Sequence, residues 1–416
     1  MGELIAGVDA GARDYRYTLL SKELAARGHE VVRWTSTFEH VSKKYRFPAS
    51  RTLELCPRLK VRLLHGLPAY RANISLARFR QQRAVARLFA AEAASWPQPD
   101  LVYTGIPVPE LSEQAVLFAR RRGVPVVVDA QDQWPDIYLS VFPTPVRWLA
   151  RATLNSEFSR SRRVFRGANA VTAVSDTYLR WALGRAGRCA RSLDGVYPLG
   201  FAPAASQGTL NEEDKANLRR QWGIPSGAWV ALFLGTFGNF YDVETMARAA
   251  RLLHERRARH IHVVMVGDGE KMPLARALTA GVPTITVPGW VDHAATRALS
   301  AISSAGLCAY GRHALQSIPY KPLEYMAAGL ALVSSLPGEM REIIEASGCG
   351  AYYQAGDPES LVTRLLELAA QPERCAAMGQ RARDLFAERF NAQVIYPRLA
   401  ARLESAAREA KGHVVA

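Results

Sequence analysis

Short apolar runs alternate with amphipathic helical segments along most of this chain, and this alternation restricts its fold more than any other feature. The run Val124–Asp129 is apolar at almost every position, as in a strand that is covered on both faces of a parallel sheet. Val230–Gly235 and His262–Gly267 follow the same pattern in the second half. Strand, helix and strand in succession form the unit from which such sheets are built. The pattern predicts an α/β protein with doubly wound, Rossmann-like sheets.

A change in composition divides the chain into two parts of this kind. Ala202–Glu213 is rich in small and polar residues and predicts a linker. We expect an N-terminal domain over residues 1–205 and a C-terminal domain over residues 206–390. A helical tail is expected from about residue 391 to residue 416. The first strand of the N-terminal domain is predicted at Leu4–Asp9.

The net charge of +15 predicts an anionic partner, such as an acidic substrate, an anionic membrane or a nucleic acid. A nucleic acid is disfavoured because no helix-turn-helix, zinc or RNP-type signature is found. The five cysteines are scattered, which argues against disulfides and favours a reducing, cytoplasmic compartment. No signal peptide and no bilayer-spanning apolar run are predicted. A dinucleotide fingerprint is missing after the first strand, which argues against a nicotinamide enzyme.

The segment Ser317–Gly329 predicts a short helix with a functional N-terminus. Pro322 suits the first helical position and Gly329 the position just past the end. A helix N-terminus attracts anions, and Lys321 adds a full positive charge there. We therefore expect a phosphate group to bind at this point. The alternative is that Glu324 only caps the helix and that Lys321 is a solvated side chain.

Four short motifs of the second half follow one another in an order that resembles a known family. They are Phe233-Leu-Gly235, Val266-Gly-Asp-Gly269, Pro288-Gly-Trp290 and Pro322-Leu-Glu-Tyr-Met-Ala-Ala-Gly329. With Arg27-Gly-His-Glu-Val31 near the N-terminus, the chain resembles retaining glycosyltransferases of the GT-B fold, family 4, in particular bacterial polysaccharide-assembly enzymes. The resemblance implies two Rossmann-like domains facing a cleft, with the tail helix crossing back to the first. It also implies acceptor binding by the first domain and nucleotide-sugar binding by the second.

The resemblance implies a donor site in the C-terminal domain. Its residues would be Gly235, Thr236, Phe237, Gly238, Asn239, Gly267, Asp268, Trp290, Val291, Arg312, Gln316, Ser317, Ile318, Pro319, Tyr320 and Glu324. Residues 235–239 would face the donor diphosphate, because glycines let the backbone approach closely. Trp290 and Val291 would line the base, and Glu324 would bind the ribose hydroxyls.

The sequence departs from the family pattern at three places. Gln316 stands where the first acidic residue of the family's pair belongs. Thr236 replaces the usual arginine of the diphosphate loop, and the lysine that normally follows has no clear equivalent near Tyr241. Lys321 is the best replacement for these cations, with Arg312 as a weaker candidate. In the first domain, Gln131 and Asp132 occupy the place where the family often has a histidine.

The resemblance implies transfer of a sugar from a UDP- or GDP-sugar to a saccharide or a lipid-linked saccharide, with retention by same-face attack. Lys321, Glu324 and Asp132 are the expected catalytic residues, and Asp132 would orient the acceptor hydroxyl or instead cap a turn. No metal and no cofactor are expected, because no Asp-x-Asp motif follows a strand. The rival enzyme is a sugar-nucleotide epimerase of the same fold.

Residues expected to bind the acceptor share a position in the first domain near strand ends: Gly11, Arg13, Arg16, Gln131 and Trp134. Lys43, Lys44 and Arg46 can also meet an anionic acceptor, although such charges commonly form a solvated face. Arg147–Arg166 mixes arginines with apolar residues, which suits either an anionic membrane surface or a helix packed on the sheet. A polyprenyl-linked acceptor on the inner face of the cytoplasmic membrane would account for both features.

Overall fold

The computed structural model describes residues 14–40, 42–72, 75–139, 142, 144–203, 211–238 and 240–412. The described residues up to Gly200 and those from Ala392 onward form one compact unit, and Phe201–Asn391 form the other. The predicted strand Leu4–Asp9 and the site candidates Gly11, Arg13 and Asn239 lie outside the described residues.

Strands and helices alternate in both units and are numbered here in chain order. The strands are β1 Val31–Ser36, β2 Phe38–Glu39, β3 Lys44–Tyr45, β4 Arg51–Cys56, β5 Leu59–Leu64, β6 Val102–Ile106, β7 Val126–Ala130, β8 Ala170–Ala173, β9 Gly195–Val196, β10 Trp229–Leu234, β11 Ile261–Val266, β12 Ile285–Gly289, β13 Ala305–Cys308, β14 Ala331–Ser334 and β15 Gly350–Tyr352. The helices are α1 Arg16–Ala26, α2 Leu76–Glu92, α3 Pro109–Arg121, α4 Asp136–Leu139, α5 Arg147–Thr153, α6 Asn155–Gly167, α7 Asp176–Ala186, α8 Glu212–Gln221, α9 Val243–Glu255, α10 Met272–Thr279, α11 His293–Ala301, α12 Tyr320–Ala328, α13 Glu339–Ser347, α14 Pro358–Ala369, α15 Pro372–Arg389 and α16 Ala392–Gly412. Ala93–Ser95 and Thr144–Val146 are short 3-10 turns.

The first unit contains a parallel sheet in the order β6-β7-β8-β9. Its central strand β7 is buried along its whole length, as the apolar run predicts. A second sheet has the order β1-β5-β4, in which β1 and β5 run parallel and β4 and β5 form a hairpin. This hairpin was not predicted from the sequence, although Leu59–Leu63 alternates between buried and more exposed residues.

The second unit is a six-stranded parallel sheet in the order β12-β11-β10-β13-β14-β15. Numbered from β10, this is the strand order 3-2-1-4-5-6 of a doubly wound nucleotide-binding fold. The order reverses between β10 and β13, so the loops that follow these two strands diverge to opposite sides. Ligands of open α/β sheets bind in the crevice at this switch point, outside the carboxyl ends of the strands.

The final helix α16 belongs to the first unit. Leu399, Leu403 and Ile395 pack with Leu20 of α1 in one apolar cluster. The Tyr396 hydroxyl donates to the carbonyl of Gly200 at 3.1 Å. The expected fold of two Rossmann-like parts, with a tail helix that returns to the first, is confirmed.

Two helix boundaries differ from the sequence prediction. The basic stretch Arg147–Arg166 forms two helices, α5 and α6, separated at Leu154. Helix α12 starts at Tyr320 with Pro319 as its N-cap, so Pro322 occupies the third helical position instead of the first. Pro322 is tolerated there because the first-turn N–H groups of a helix have no partner inside it. None of the helices in the described ranges is long and apolar enough to cross a bilayer.

Candidate functional site

Two glycine turns pack backbone against backbone at the carboxyl ends of β10 and β11. The N–H of Gly235 donates to the Val266 carbonyl at 2.9 Å, and the N–H of Phe237 donates to the Asp268 carbonyl at 2.8 Å. Gly267 has a φ of +147°, and a Cβ atom there would lie 1.6 Å from the carbonyl oxygen of Gly235. Only glycine fits this contact, so the backbones of the two turns can approach each other this closely because residue 267 has no side chain.

Helix α12 is anchored at the same point by the aromatic ring of Tyr325. The ring lies over β13, where a Cβ atom at Gly306 would be 2.2 Å from it. The Tyr325 hydroxyl accepts a 2.7 Å hydrogen bond from the N–H of Leu234, the last residue of β10. Gly329 ends the helix in the left-handed conformation, as predicted, with a φ of +73°. These contacts hold the N-terminus of α12 beside the loop that starts at Gly235.

Lys321 lies directly against that loop. Its Cε atom would be 2.7 Å from a Cβ atom built on Gly235. The ammonium group lies 5.6 Å from the ring centroid of Tyr241 and 6.0 Å from that of Phe233. In the first turn of α12 and its cap, Pro319 and Pro322 carry no N–H, so the backbone donors belong to Tyr320 and Lys321. Positive charge and backbone donors thus converge next to the glycine turns.

Glu324 is half-buried one helical turn after Lys321. Burial raises the pKa of the Tyr241 hydroxyl to about 12, and the Glu324 charge contributes to this rise. The charge of Glu324 thus acts on the same tyrosine that lies near the ammonium group of Lys321. Residues three apart on a helix share a face, which brings an acid and a base to one side of α12.

The end of β12 adjoins the turn at Gly267. The N–H of Gly267 donates to the Gly289 carbonyl at 2.9 Å, and the next residue, Trp290, is 76% exposed. Val291 is half-buried beside it. Asp268 is exposed, and its Oδ1 accepts from the N–H of Gly269 at 2.8 Å. An exposed indole next to a glycine turn offers a flat surface on which a planar ring can stack.

The segment before α12 is fixed by its side chains. The Ser317 hydroxyl donates to Oε2 of Glu339 at 2.9 Å, and Ile318 is buried. Gln316 is half-buried, and its Oε1 is a buried acceptor for which the described part of the chain supplies no hydrogen bond. Pro319 and Tyr320 are half-buried at the start of the helix.

The side chains of three residues that were expected to bind the donor sugar nucleotide have structural roles. The Phe237 ring is fully buried in the apolar core of the second unit, so only its backbone can face a ligand. Ile318 is buried in the same way. Arg312 donates to the carbonyls of Ala355 at 3.0 Å and Gly356 at 3.2 Å, which holds the chain after β13 in place. The side chain is exposed, and the role of Arg312 as a phosphate cation stays a prediction.

Arg16 was expected to bind the acceptor, and the structure corrects this. The side chain is fully buried, and it donates to both carboxylate oxygens of Asp129 at 2.8 Å each. It also donates to the carbonyls of Tyr197 and Pro198 at 2.8 and 3.0 Å. Its guanidinium group thus joins α1 to β7 and to the chain after β9. Gln131, half-buried, donates from Nε2 to Oδ2 of Asp129 at 2.8 Å.

Asp132 follows β7 at the carboxyl edge of the sheet and is half-buried. Its Oδ1 accepts from the N–H of Gln133 at 2.8 Å, so it does form a turn contact. Burial raises the pKa of this carboxyl to about 6, against the opposing effects of that hydrogen bond and of the Arg78 charge. A carboxylate with this pKa can accept a proton from a hydroxyl near neutral pH.

Trp134 was expected to bind the acceptor, but its ring is a core residue that is 3% exposed. The ring packs edge-to-face on Tyr138 at 4.3 Å between centroids. A large aromatic ring gains more from burial than from solvent exposure, which explains its place in the core. Tyr241, Tyr325 and Arg78 were not predicted as site residues, since neither their type nor their spacing distinguishes them from ordinary core or surface residues. Within the described ranges, no group of three or more His, Cys, Asp or Glu side chains can hold a metal ion.

Two family models match the chain in the order of its two units. The model described as "Glycosyl transferase 4-like domain" matches residues 14–192, and "Glycosyl transferases group 1" matches residues 214–385. A curated relative, N-acetyl-alpha-D-glucosaminyl L-malate synthase of Bacillus anthracis, is 23% identical over 188 residues. That match covers 44% of this chain and 47% of the relative, about half of its length.

Solved structures of glycosyltransferases share the fold over most of their length. Sucrose-phosphate synthase from Thermosynechococcus elongatus has a TM-score of 0.71 at 17% identity, covering 94% of this chain and 92% of that one. Anabaena HepE, solved in complex with UDP-glucose, has a TM-score of 0.60 at 16% identity, covering 83% and 86%. The switch-point site, the two family models and these structures lead to one assignment. The chain belongs to the glycosyltransferases of the group 1 and family 4-like type and has their GT-B fold.

Proposed function

We propose that this glycosyltransferase moves a sugar from a UDP- or GDP-sugar to a saccharide or lipid-linked saccharide, with retention at the anomeric carbon. The observation that carries the proposal is the position of Lys321 against Gly235, at the switch point of the second sheet. The second unit would bind the donor and the first the acceptor. The proposed setting is the assembly of cell-surface polysaccharides or glycoconjugates.

The nucleotide end of the donor would lie over β11 and β12. Trp290 offers its exposed ring to the base, with Val291 and Asp268 beside it. Glu324 would accept hydrogen bonds from the two ribose hydroxyls, since an ionised carboxylate has two acceptor oxygens. HepE, which shares the fold, was solved with UDP-glucose, so UDP-hexoses are the first donors to test. The name of the Bacillus anthracis relative adds UDP-N-acetylhexosamines to the panel.

The diphosphate would lie between the glycine loop and the start of α12. The backbone of Gly235, Thr236 and Gly238 would approach the phosphate oxygens, and Thr236 is exposed. Lys321 supplies the cation, and the helix N-terminus adds a partial positive charge. Gln316 and Ser317 would contact the sugar end, where the buried Oε1 of Gln316 can accept from a sugar hydroxyl.

Charge stabilisation is the main catalytic contribution that these residues can make. As the bond between the anomeric carbon and the β-phosphate oxygen breaks, negative charge grows on the diphosphate, and the ammonium group of Lys321 would stabilise this charge. The acceptor oxygen attacks from the same face, and its proton passes to the departing phosphate. Asp132 would orient the acceptor hydroxyl or share its proton. No metal and no cofactor are part of this proposal.

The test is the release of UDP or GDP from a panel of nucleotide sugars, with and without saccharide and polyprenyl-linked acceptors. Acceptor-dependent release of nucleotide, with the anomeric configuration preserved in the product by NMR, is the expected result. Conversion of the donor to an epimer without any acceptor would instead support the sugar-nucleotide epimerase. Inversion of the anomeric centre would contradict the mechanism while leaving the transfer reaction intact.

We further propose that the enzyme is cytoplasmic and lies at the inner face of an anionic membrane. Four apolar side chains near α5 are exposed and form what we call the Trp148 patch: Phe142, Val146, Trp148 and Leu149. Trp148 is 67% exposed. Arg147 and Arg151 lie on the same short helix. Exposed aromatic and aliphatic groups between arginines match the interface of an anionic bilayer.

The arginines of α6 do not all contribute to this surface. Arg160 is turned inward and pairs with Glu113 at 2.9 Å and Glu157 at 2.5 Å. Arg163 is exposed but pairs with Glu113 at 2.7 Å. Not every arginine of Arg147–Arg166 would therefore face a membrane. The expectation that this whole stretch does so is corrected for Arg160.

Sedimentation with vesicles tests the membrane proposal. The protein should sediment with phosphatidylglycerol vesicles and not with phosphatidylcholine vesicles, and Trp148→Ala should weaken binding about tenfold, as the loss of one buried indole implies. Leu274→Ala changes an exposed apolar residue of the second unit and serves as the matched control. Absence of binding to anionic vesicles would exclude this proposal.

A further inference from the structure

A cluster of basic and aromatic side chains lies in the first unit, close to Asp132, and no step of the transfer described above uses it. We call it the His40 cluster, and it consists of His40, Lys43, Tyr70 and Arg78. Nδ1 of His40 lies 2.7 Å from the Tyr70 hydroxyl and 3.3 Å from Nζ of Lys43. Nζ of Lys43 is also 5.2 Å from the centroid of the Tyr70 ring.

The fold places this cluster at the carboxyl edge of β1. His40 and Lys43 lie in the turn between β2 and β3, which follows β1 directly. Arg78 lies in the first turn of α2, where its N–H donates to the hydroxyl oxygen of Ser75 at 3.2 Å. One turn further along, Gln81 donates from Nε2 to the Ser36 hydroxyl oxygen at the end of β1. The α2 start is thereby tied to the strand end, where ligands of parallel sheets bind.

Positive charge is concentrated in the His40 cluster. Burial lowers the pKa of Lys43, and the nearby Arg78 charge lowers it further. Burial, with Lys43 and Arg78, lowers the pKa of His40 to about 4, so the imidazole is neutral near pH 7. Glu39, at the end of β2, opposes this effect, since its charge raises the pKa of Lys43 and of His40, and its Oε2 accepts from the N–H of Ser42. Two cations that repel each other in a half-buried place gain when an anion lies between them.

Arg78 connects this cluster to Asp132. Its guanidinium carbon lies 5.0 Å from the ring centroid of Trp134, two residues beyond Asp132. Its charge also acts on the carboxyl of Asp132, where it opposes the effect of burial. The charge of Arg78 thus acts both on Asp132 and on the groups of the His40 cluster.

We propose that the His40 cluster binds an anionic group of the acceptor, a carboxylate or a phosphate, while Asp132 receives the hydroxyl that is glycosylated. The inference rests on the proposed function, because it assigns the acceptor class of that same reaction. Arg78 supplies a planar set of donors that fits two oxygens of an anion, and Lys43 adds a point charge. Tyr70 and the neutral His40 supply further hydrogen bonds from the side.

Calorimetric titration with inorganic phosphate and with malonate, at constant ionic strength, tests the proposal. The titrations are made in a Lys321→Ala background, so that phosphate binding at α12 does not contribute. We expect one of the two probes to bind, and Arg78→Ala and Lys43→Ala each to weaken it at least tenfold. The tighter probe identifies the acceptor anion as phosphate or carboxylate. Arg80→Ala removes an exposed charge from the same helix and should change nothing.

Two further measurements keep the result unambiguous. Arg78→Lys retains the charge without the planar donors and should bind the probe with intermediate strength, and thermal melting reports whether each variant is folded. Absence of binding by both probes, or equal binding by the Arg78→Ala and Arg80→Ala proteins, would overturn the inference. Binding of UDP and of GDP to the wild-type protein is measured in parallel. Absence of binding by both nucleotides would contradict the proposed donor site and leave the result at the His40 cluster standing.

Discussion

The backbone N–H of Leu234 donates a 2.7 Å hydrogen bond to the hydroxyl oxygen of Tyr325, and this bond joins the end of β10 to the middle of α12. The two residues are 91 positions apart in sequence. Because Leu234 directly precedes Gly235, the bond also sets the distance between the glycine loop and Lys321. One buried tyrosine thus positions both walls of the candidate diphosphate site.

Tyr325→Phe should destabilise the second unit by about 1–3 kcal/mol, because the buried N–H of Leu234 loses its acceptor. The ring stays in place over Gly306, so the packing against β13 is retained. Differential scanning calorimetry should show a lower melting temperature for the variant, and UDP, if it binds as proposed, should bind more weakly. An unchanged melting temperature would show that the bond contributes nothing to the position of α12.

Lys321→Ala should reduce donor turnover by about two to three orders of magnitude, the size of effect seen when a group that stabilises transition-state charge is removed. Lys321→Met keeps most of the aliphatic chain against Gly235 and should lose a similar amount, since the charge is the active feature. Lys215→Ala removes a half-buried lysine of α8, which pairs with Glu212, and is the control. Near-normal turnover by folded Lys321→Ala protein would exclude Lys321 from the site.

Gly235→Ala tests the close approach of the loop to α12. The added methyl group would lie 2.7 Å from Cε of Lys321 and 2.8 Å from the Phe233 ring, so the lysine must shift. We expect a loss of donor turnover of about ten- to a hundredfold, since a displacement of about 1 Å at a reacting centre has this effect. Gly184→Ala in α7, where nothing lies within 4 Å of the new methyl group, is the matched control. Equal turnover by the two variants would contradict the proposed role of the loop.

Asp132→Asn tests whether this carboxylate takes part in transfer. Burial raises its pKa to about 6, so it is protonated below that pH and ionised above it. If the ionised form assists the acceptor hydroxyl, kcat/KM of the wild-type enzyme falls as the pH drops through about 6. The asparagine variant should be slower at pH 8 and should lack this fall. A pH profile that is the same in both proteins would leave Asp132 with its turn contact to Gln133 alone.

The sheets were predictable from the sequence because buried parallel strands are nearly continuous apolar runs, as in β7 and β10. The glycine loop and the end of α12 were also predictable, since Gly235, Gly267 and Gly329 are required by close approach or by positive φ. The start of α12 was not, because the helix begins at Tyr320, two residues before Pro322. The hairpin of β4 and β5 was missed, because its alternating pattern carries several charges on a short stretch.

The individual roles of arginines were not predictable. Arg16 and Arg78 both lie in the first turn of a helix, yet one is fully buried on Asp129 and the other lies beside Trp134. The two arginines differ because Arg16 has a carboxylate partner, Asp129, which is 113 positions away in sequence. The local sequence pattern around an arginine gives no information about such a distant partner. The same limit applies to Arg160, whose partner Glu113 lies on another helix.

Glu110 gives the first unit a pH-dependent stability. The side chain is buried in α3, and burial, together with the nearby charge of Glu157, raises its pKa to about 7 in spite of Arg160 and Arg83. The folded protein therefore holds a proton that the unfolded chain releases above the ordinary pKa of 4.5. Stability from this group is present at low pH and is lost as the pH rises from about 4.5 through about 7.

Glu110→Gln replaces the carboxyl with a neutral group of the same shape and should remove this dependence. We expect the variant to be more stable than the wild type at pH 8, by an amount on the order of 1–3 kcal/mol, and to differ little at pH 5. Thermal melting at the two pH values measures this. Glu113→Gln, which removes ion pairs to Arg160 and Arg163, should destabilise the protein at pH 8 instead. If Glu110→Gln melts with the wild-type pH dependence, the buried carboxyl is already ionised and Arg160 compensates its charge.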